Sequence, residues 1–326
     1  MNRYSFLPIL LALIVFIPNP AFSADSKKDT LNVLFIGNSY TTRHKLSQVV
    51  KAMAEAGQPG LTMNVTTIIY GGRTLADHWR LGSQNYLRLS ALTAEEEQAT
   101  IDSLEETIAD NPKDNHAKSA LNRHRGLLRT LDQPHKKWDI VVLQSYRDDI
   151  GKSPTLYAQY APKFVEIIKN QGARAILYET SPTTQNAKPL KTAPDPTVTL
   201  KKEKAIAALA DRIGADVVPM ALVALRCQTE RPDRTLRFIN DAHLNHTMAY
   251  LTACTFYATL FKQSPEGLPI KSITDIRYFE NPPKTFDKSK DRDGQPIKRI
   301  FSDKDAAQLQ KIAWDAYNEF QQMRRK

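Results

Sequence analysis

Residues 31–42 read LNVLFIGNSYTT, and the rest of the chain is organised around this stretch. Its first half is an apolar run rich in branched and aromatic side chains, and the run stops at the turn formers Gly37-Asn38-Ser39. A run of this kind is typical of a strand buried on both faces. Apolar residues then recur at helical spacing over 46–56, so the sequence predicts a strand, a tight turn and a helix. Ser39 would either present its hydroxyl to a cleft at the strand end or only cap that helix.

The remainder of the chain alternates strands with helices. Further strands are predicted over 63–69, 138–143, 173–178 and 215–219, and further helices over 157–170, 200–213, 247–261 and after Ser302. This alternation predicts a parallel sheet with helices on both faces. We expect the apolar stripe of the last helix to pack on the sheet and residues 264–300 to be irregular.

Residues 85–135 have a different character, since they are polar, acid-rich and helix-forming. Thr93 and Glu96 have the spacing of a capping box, and Asn111-Pro112 divides the segment into two helices. We interpret this segment as a helical insertion over the sheet edge, inside a single domain of residues 24–326.

The first 23 residues have the pattern of a secretory signal. Arg3 gives a basic start, residues 6–17 form an apolar core, and Ala21-Phe22-Ser23 supplies small residues before a cut near Ala24. The apolar core is too short to span a bilayer comfortably. The sequence therefore predicts a periplasmic or secreted protein with no stable membrane insertion once the signal is removed.

The composition bounds the partners of this chain of 326 residues, which has 45 basic and 35 acidic residues and a net charge of +10. A basic exported protein suits an acidic polysaccharide or an anionic membrane, although the charge also serves general solubility. The basic residues are scattered and no recognition motif accompanies them, so we expect no nucleic-acid partner. Cys227 and Cys254 could form a disulfide or remain buried free thiols, and the sequence leaves both open.

Four residues together suggest a chemistry. Ser39, Gly72 and Gln144 stand at three predicted strand ends, and His243 lies in a late loop. Ester hydrolysis through an acyl-enzyme needs a serine activated by an imidazole, together with N–H donors for the oxyanion. Gly72 could offer a backbone amide that no side chain blocks, and Gln144 a side-chain amide. Each of them also has a structural explanation, a tight turn for Gly72 and a polar strand end for Gln144.

These blocks resemble the SGNH, or GDSL-type, hydrolase superfamily of esterases and lipases. Gly37-Asn38-Ser39 matches its first block, Gly72 in YGGRTL its second, and His243 in INDAHLNHTMAYL its last. The third block usually supplies an asparagine, whereas VVLQSY resembles a branch in which Leu-Gln ends that strand, with Gln144 in the asparagine's place. The resemblance implies a flavodoxin-like three-layer α/β/α sandwich with a parallel sheet, and an oxyanion site formed by the Ser39 and Gly72 amides with Gln144.

The last block departs from the superfamily in the position of its acid. The usual Asp-x-x-His spacing falls on Asn240, while Asp241 stands two residues before His243. Either Asp241 orients the imidazole or Asn240 does so as a neutral amide, and only a carboxylate would also stabilise the imidazolium. His243 and His246 stand three apart, but no third ligand, CxxC or HExxH accompanies them, so we expect no metal site.

The sequence thus predicts an exported serine esterase that acts on a small-molecule or glycan ester and requires no cofactor. By the resemblance alone, O-acetyl groups on carbohydrate are the expected substrate. Two alternatives remain open. One is a catalytically impaired carbohydrate-binding homologue, which the replacement at Asn240 favours. The other is a lipase or lysophospholipase, which the basic charge would suit at an anionic membrane.

Overall fold

The computed structural model describes residues 30–151, 154–180, 182–280 and 287–325. The predicted signal, residues 1–23, lies outside these residues. Among the helices within them, none combines the length and the apolar character needed to cross a membrane.

The core of the fold is a parallel sheet. Its strands are β1 (Thr30–Gly37), β2 (Thr62–Ile69), β3 (Ile140–Gln144), β4 (Arg174–Tyr178) and β5 (Asp216–Val218). They pair in the order β2-β1-β3-β4-β5, and each of the predicted strands is confirmed. This is the strand order of flavodoxin-like sheets, in which ligands bind beyond the carboxyl ends of the strands.

Helices cover both faces of the sheet. In chain order they are α1 (Ser39–Thr42), α2 (Leu46–Gly57), α3 (Leu75–Arg80), α4 (Ala94–Asp110), α5 (Asn115–Leu128), α6 (Leu156–Asn170), α7 (Thr197–Ile213), α8 (Met220–Glu230), α9 (His246–Phe261) and α10 (Asp303–Arg324). Helices α2 and α9 pack on one face, and α3, α6 and α7 on the other. The three-layer α/β/α class is therefore confirmed.

The insertion contains two helices that pack against each other, α4 and α5, as the break at Asn111-Pro112 predicts. The capping box is formed, since the Thr93 hydroxyl accepts from the Glu96 amide at 3.2 Å and the Glu96 carboxylate accepts from the Thr93 amide at 3.0 Å. Buried side chains of α4 and α5 are continuous with the core around the sheet. The insertion thereby extends the core at the β2 edge.

Two expectations about the C-terminal half are wrong, and one helix there was missed. Residues 264–300 include an antiparallel ribbon, β6 (Ser272–Thr274) with β7 (Lys298–Ile300), because paired strands of three residues show little alternation in sequence. Helix α8 was not predicted, since its run is apolar without a clear period. The stripe of α10 packs mainly on α7, α8 and α9, because other helices already cover both sheet faces.

Two buried carboxyl groups hold the start of α8. Glu179 accepts from the Ala221 amide and Glu203 from the Leu222 amide, each at 2.6 Å. Both side chains are buried. Burial first, and then the charge of Glu179, raises the pKa of Glu203 well above its ordinary value.

The two cysteines are free thiols, and both are buried. Burial raises the pKa of Cys227 to about 12 and also raises that of Cys254. Of the two possibilities that the sequence left open, the structure has the unpaired thiols.

Candidate active site

The turn after β1 fixes the position of Ser39. Asn38 is buried and caps α1, because its Oδ1 accepts from the Tyr40 amide at 3.0 Å. Its Nδ2 donates to the Arg73 carbonyl at 3.1 Å, which ties the β1 turn to the β2 turn. The cap is thus Asn38, and Ser39 is the first helical residue, with a partly exposed side chain. The interpretation of Ser39 as only a helix cap is therefore wrong.

Gln144 holds the same turn from β3. Its Oε1 accepts from the Asn38 amide at 2.7 Å and from the Thr41 hydroxyl at 3.2 Å, and its Nε2 donates to the Ser145 carbonyl at 2.8 Å. Gly37 permits this approach, since a Cβ there would lie 2.5 Å from Thr41 Oγ1 and 2.7 Å from Gln144 Oε1. The side-chain oxygen of Gln144 therefore positions the Ser39 turn. Its predicted role as an oxyanion donor stays a prediction.

His243 links Ser39 to Asp241. Its Nε2 lies 2.7 Å from Ser39 Oγ, and its Nδ1 lies 2.7 Å from Asp241 Oδ1. Asp241 Oδ1 also accepts from the His243 backbone amide at 3.1 Å. With the Nδ1 proton donated to the carboxylate, Nε2 is free to accept the Ser39 proton. The structure thus brings the three side chains into one hydrogen-bonded chain.

The turn before His243 explains which residue meets the imidazole. Asn240 has φ 56°, in the left-handed region that asparagine tolerates better than most residues. Its side chain is exposed, and within the described part of the chain it makes no hydrogen bond. The carboxylate two residues before His243, rather than the amide three before it, therefore occupies the position beside Nδ1.

Two arginines bind the other oxygen of that carboxylate. Asp241 Oδ2 lies 3.1 Å from Arg43 Nη1 and 2.5 Å from Arg292 Nη1. Arg43 is buried, pairs with Asp275 through two contacts of 3.2 and 2.8 Å, and stacks on the Phe238 ring. Burial acts to raise the pKa of Asp241, but the hydrogen bond and charge of His243 and the charge of Arg292 outweigh it and hold that pKa well below its ordinary value.

Two backbone amides near Ser39 have the properties of oxyanion donors. Within the described residues, neither the Ser39 amide nor the Gly72 amide donates to a protein acceptor. Gly72 has φ 66°, and a Cβ there would meet no atom within 4 Å, so its surroundings are open. A backbone amide without a protein acceptor is available to bind a developing negative charge.

Tyr40 and His78 support the site from either side. The Tyr40 hydroxyl donates to the Ala242 carbonyl, and its ring centroid lies 5.5 Å from that of His243. His78 is buried: its Nε2 is 3.0 Å from the Gly37 carbonyl and its Nδ1 is 2.9 Å from Ser83 Oγ. Burial lowers the pKa of His78 to about 4, so this histidine stays neutral and holds the end of β1.

The two histidines three residues apart do not face a common point. His246 Nε2 lies 2.9 Å from the Ile297 carbonyl, while His243 Nε2 bonds to Ser39. In the parts of the chain that the structure describes, no three histidine, cysteine or acidic side chains are grouped as metal ligands would be.

Sequence reasoning missed the charged residues behind the site, which are Arg43, Asp275, Glu280 and Arg292. Glu280 Oε2 lies 3.3 Å from Arg43 Nη1 and 3.4 Å from Arg292 Nη1, so it bridges the arginines that bind Asp241. These residues are far apart in sequence, and three of them fall in the segment expected to be irregular. The position of Arg43 four residues after Ser39 is the one local signal that could have found them.

No protein-family model and no curated protein matches the chain. A solved structure, that of a gut microbial diltiazem-metabolizing enzyme, is similar over 72% of this chain and 46% of that one, with 12% identity and a TM-score of 0.34. The chain thus spans about half of that enzyme's length. A likeness of this extent carries no argument about activity.

Proposed function

We propose that the protein is a serine ester hydrolase of the SGNH type. The observation that carries the proposal is the unbroken chain from Ser39 Oγ through His243 to Asp241, with both contacts at 2.7 Å. A buried network orients the acid, and a partly exposed serine stands at the carboxyl edge of the sheet. This is the arrangement by which an imidazole activates a hydroxyl as a nucleophile.

The proposed reaction has two halves. Ser39 Oγ attacks the ester carbonyl carbon while His243 Nε2 takes the hydroxyl proton, and the amides of Ser39 and Gly72 bind the oxyanion. The carbon–oxygen bond to the leaving alcohol then breaks, and His243 returns the proton to that oxygen. Water attacks the acyl-serine in the same way, which releases the carboxylic acid and restores Ser39. Asp241 remains ionised throughout and stabilises the imidazolium.

The substrate class that we propose is an O-acetylated carbohydrate met outside the cytoplasm. In addition to the resemblance in the sequence, an exposed aromatic residue supports this substrate class. Tyr146 is 52% exposed and its backbone amide donates at 3.1 Å to the Arg73 carbonyl, the same carbonyl that Asn38 Nδ2 binds. An exposed aromatic ring next to the nucleophile turn suits the apolar face of a sugar.

The first experiment is fluorophosphonate labelling of the mature protein, wild type against Ser39→Ala. We expect the wild type to be labelled and the variant not. Hydrolysis of 4-nitrophenyl acetate and of 4-nitrophenyl palmitate, together with acetate release from acetylated polysaccharide, then sets the acyl length and the substrate class. A preference for palmitate would favour a lipase. A wild type that is neither labelled nor active would refute the proposal and favour a carbohydrate-binding homologue.

A further inference from the structure

The acid of the proposed triad stands in an unusual place, one residue closer to the histidine than the superfamily pattern has it. In this tight turn Asp241 Oδ1 accepts a hydrogen bond from the His243 backbone amide at 3.1 Å and another from His243 Nδ1 at 2.7 Å. A carboxylate bonded through one oxygen can still rotate about its χ2 bond. Its other oxygen needs a partner if its plane is to be fixed relative to the imidazole.

We propose that Arg292 is a positioning residue, which fixes the Asp241 carboxylate against His243 by binding Oδ2. This inference rests on the proposed function. Arg292 Nη1 lies 2.5 Å from Asp241 Oδ2, which is the shorter of the two arginine contacts that this oxygen makes. Arg43 is fully buried and already committed to Asp275, so it also serves the fold. The Arg292 side chain is 26% exposed and has only Glu280 as a further carboxylate partner among the described residues.

The backbone that carries Arg292 is held rigidly. Asp291 Oδ1 accepts from the amides of Asp293 and Gln295, both at 2.9 Å, which closes a turn around Arg292. Asp293 Oδ2 accepts from the Ile239 amide at 2.9 Å and so fastens this turn to the segment just before Asn240. The loop that presents Arg292 and the loop that presents Asp241 are therefore fixed to each other.

The arrangement separates positioning from substrate binding. Arg292 touches neither Ser39 nor the two proposed oxyanion amides; its described partners are Asp241 and Glu280. Its removal should leave Asp241 Oδ2 with the longer Arg43 contact alone, at 3.1 Å, so that the carboxylate is held less firmly against His243. Misplacement of a catalytic group by about 1 Å can cost up to about 100-fold in rate. We expect this cost in kcat, with little change in KM.

The test compares Arg292→Ala, Arg292→Lys and a matched control, Arg277→Ala. Arg277 is 31% exposed and, like Arg292, pairs with Glu280, but it has no contact with Asp241 in the described structure. With 4-nitrophenyl acetate, Arg292→Ala should lose about 10- to 100-fold in kcat. Added guanidinium should restore part of this loss, Arg292→Lys should retain an intermediate kcat, and Arg277→Ala should behave as the wild type.

The outcomes distinguish this inference from the proposed function. An inactive and unlabelled wild type would remove both. An active wild type with an equally active Arg292→Ala variant would overturn the positioning role alone. So would a variant whose Tm and kcat fall together without guanidinium rescue, since that result describes a structural residue. A kcat loss at unchanged Tm, with rescue, supports the inference.

Discussion

Replacement of Asp241 by asparagine tests the acid of the proposed triad against the alternative at Asn240. In the wild type both carboxylate oxygens face donors: Oδ1 faces the amide and Nδ1 of His243, and Oδ2 faces Arg43 and Arg292. An asparagine has one oxygen for these two sides. Its NH₂ group must therefore face either the histidine or the arginines.

The charges decide which side the amide oxygen takes. A hydrogen bond to a charged donor contributes about 1.5–3 kcal/mol, and one to a neutral donor about 0.5–1.5 kcal/mol. The amide oxygen can accept either from the two charged arginines or from the two neutral N–H groups of His243. The arginine side is therefore favoured by roughly 2 kcal/mol, which is a ratio of about 30 between the two orientations of the amide. The NH₂ group then donates to His243 Nδ1, which leaves the proton on Nε2. That tautomer cannot accept the Ser39 proton. Together with the lost carboxylate charge, we expect kcat to fall about 10³- to 10⁴-fold, as in other serine triads.

The assay is kcat for 4-nitrophenyl acetate, with Tm measured in parallel and Asn240→Gly as the control. Glycine removes the Asn240 amide and accepts its positive φ of 56° without strain. We expect Asn240→Gly to keep the wild-type kcat within about threefold, since the Asn240 side chain has no hydrogen bond to lose among the described residues. An Asp241→Asn variant within tenfold of wild type, or an Asn240→Gly variant as impaired as it, would refute the reasoning.

Further predictions concern the supporting structure. Gly37→Ala places a Cβ 2.5 Å from Thr41 Oγ1, so urea unfolding should show a loss of about 1–3 kcal/mol, and an unchanged midpoint would contradict this close packing. Because the folded-state pKa of Glu203 is raised, its contribution to stability is present below the unfolded pKa of about 4.3 and is lost as pH rises through the folded pKa. Relative to wild type, Glu203→Gln should therefore be more stable to urea at pH 8 than at pH 5, and an equal difference at both pH values would contradict a raised pKa of Glu203. A thiol reagent should react with neither Cys227 nor Cys254 in the native protein and with both in urea; unreactive thiols in urea would indicate a disulfide instead.

Much of the fold follows from local sequence patterns. Buried strands, amphipathic helices and caps such as Ser302, whose hydroxyl accepts from the Asp305 amide at 3.1 Å, are set by residues close together in the chain. Helix α8 and the β6–β7 ribbon were not predicted, because α8 begins with an apolar run that has no clear period and the ribbon's strands are only three residues long. Parallel strands also bring their carboxyl ends to one edge of the sheet. For this reason the sequence alone predicts that Ser39, Gly72 and Gln144 lie near that edge.

The sequence by itself determined the α/β alternation and the residue types offered at the sheet edge. The tertiary structure alone decided which atoms meet. Asp241 rather than Asn240 reaches His243 because the chain turns through a left-handed residue, and Gln144 presents its oxygen because the Asn38 amide needs an acceptor. Arg43 and Arg292 reach the acid from positions 198 and 51 residues away in the chain. Such contacts depend on side-chain direction and on packing between distant segments, and no local periodicity records either of them.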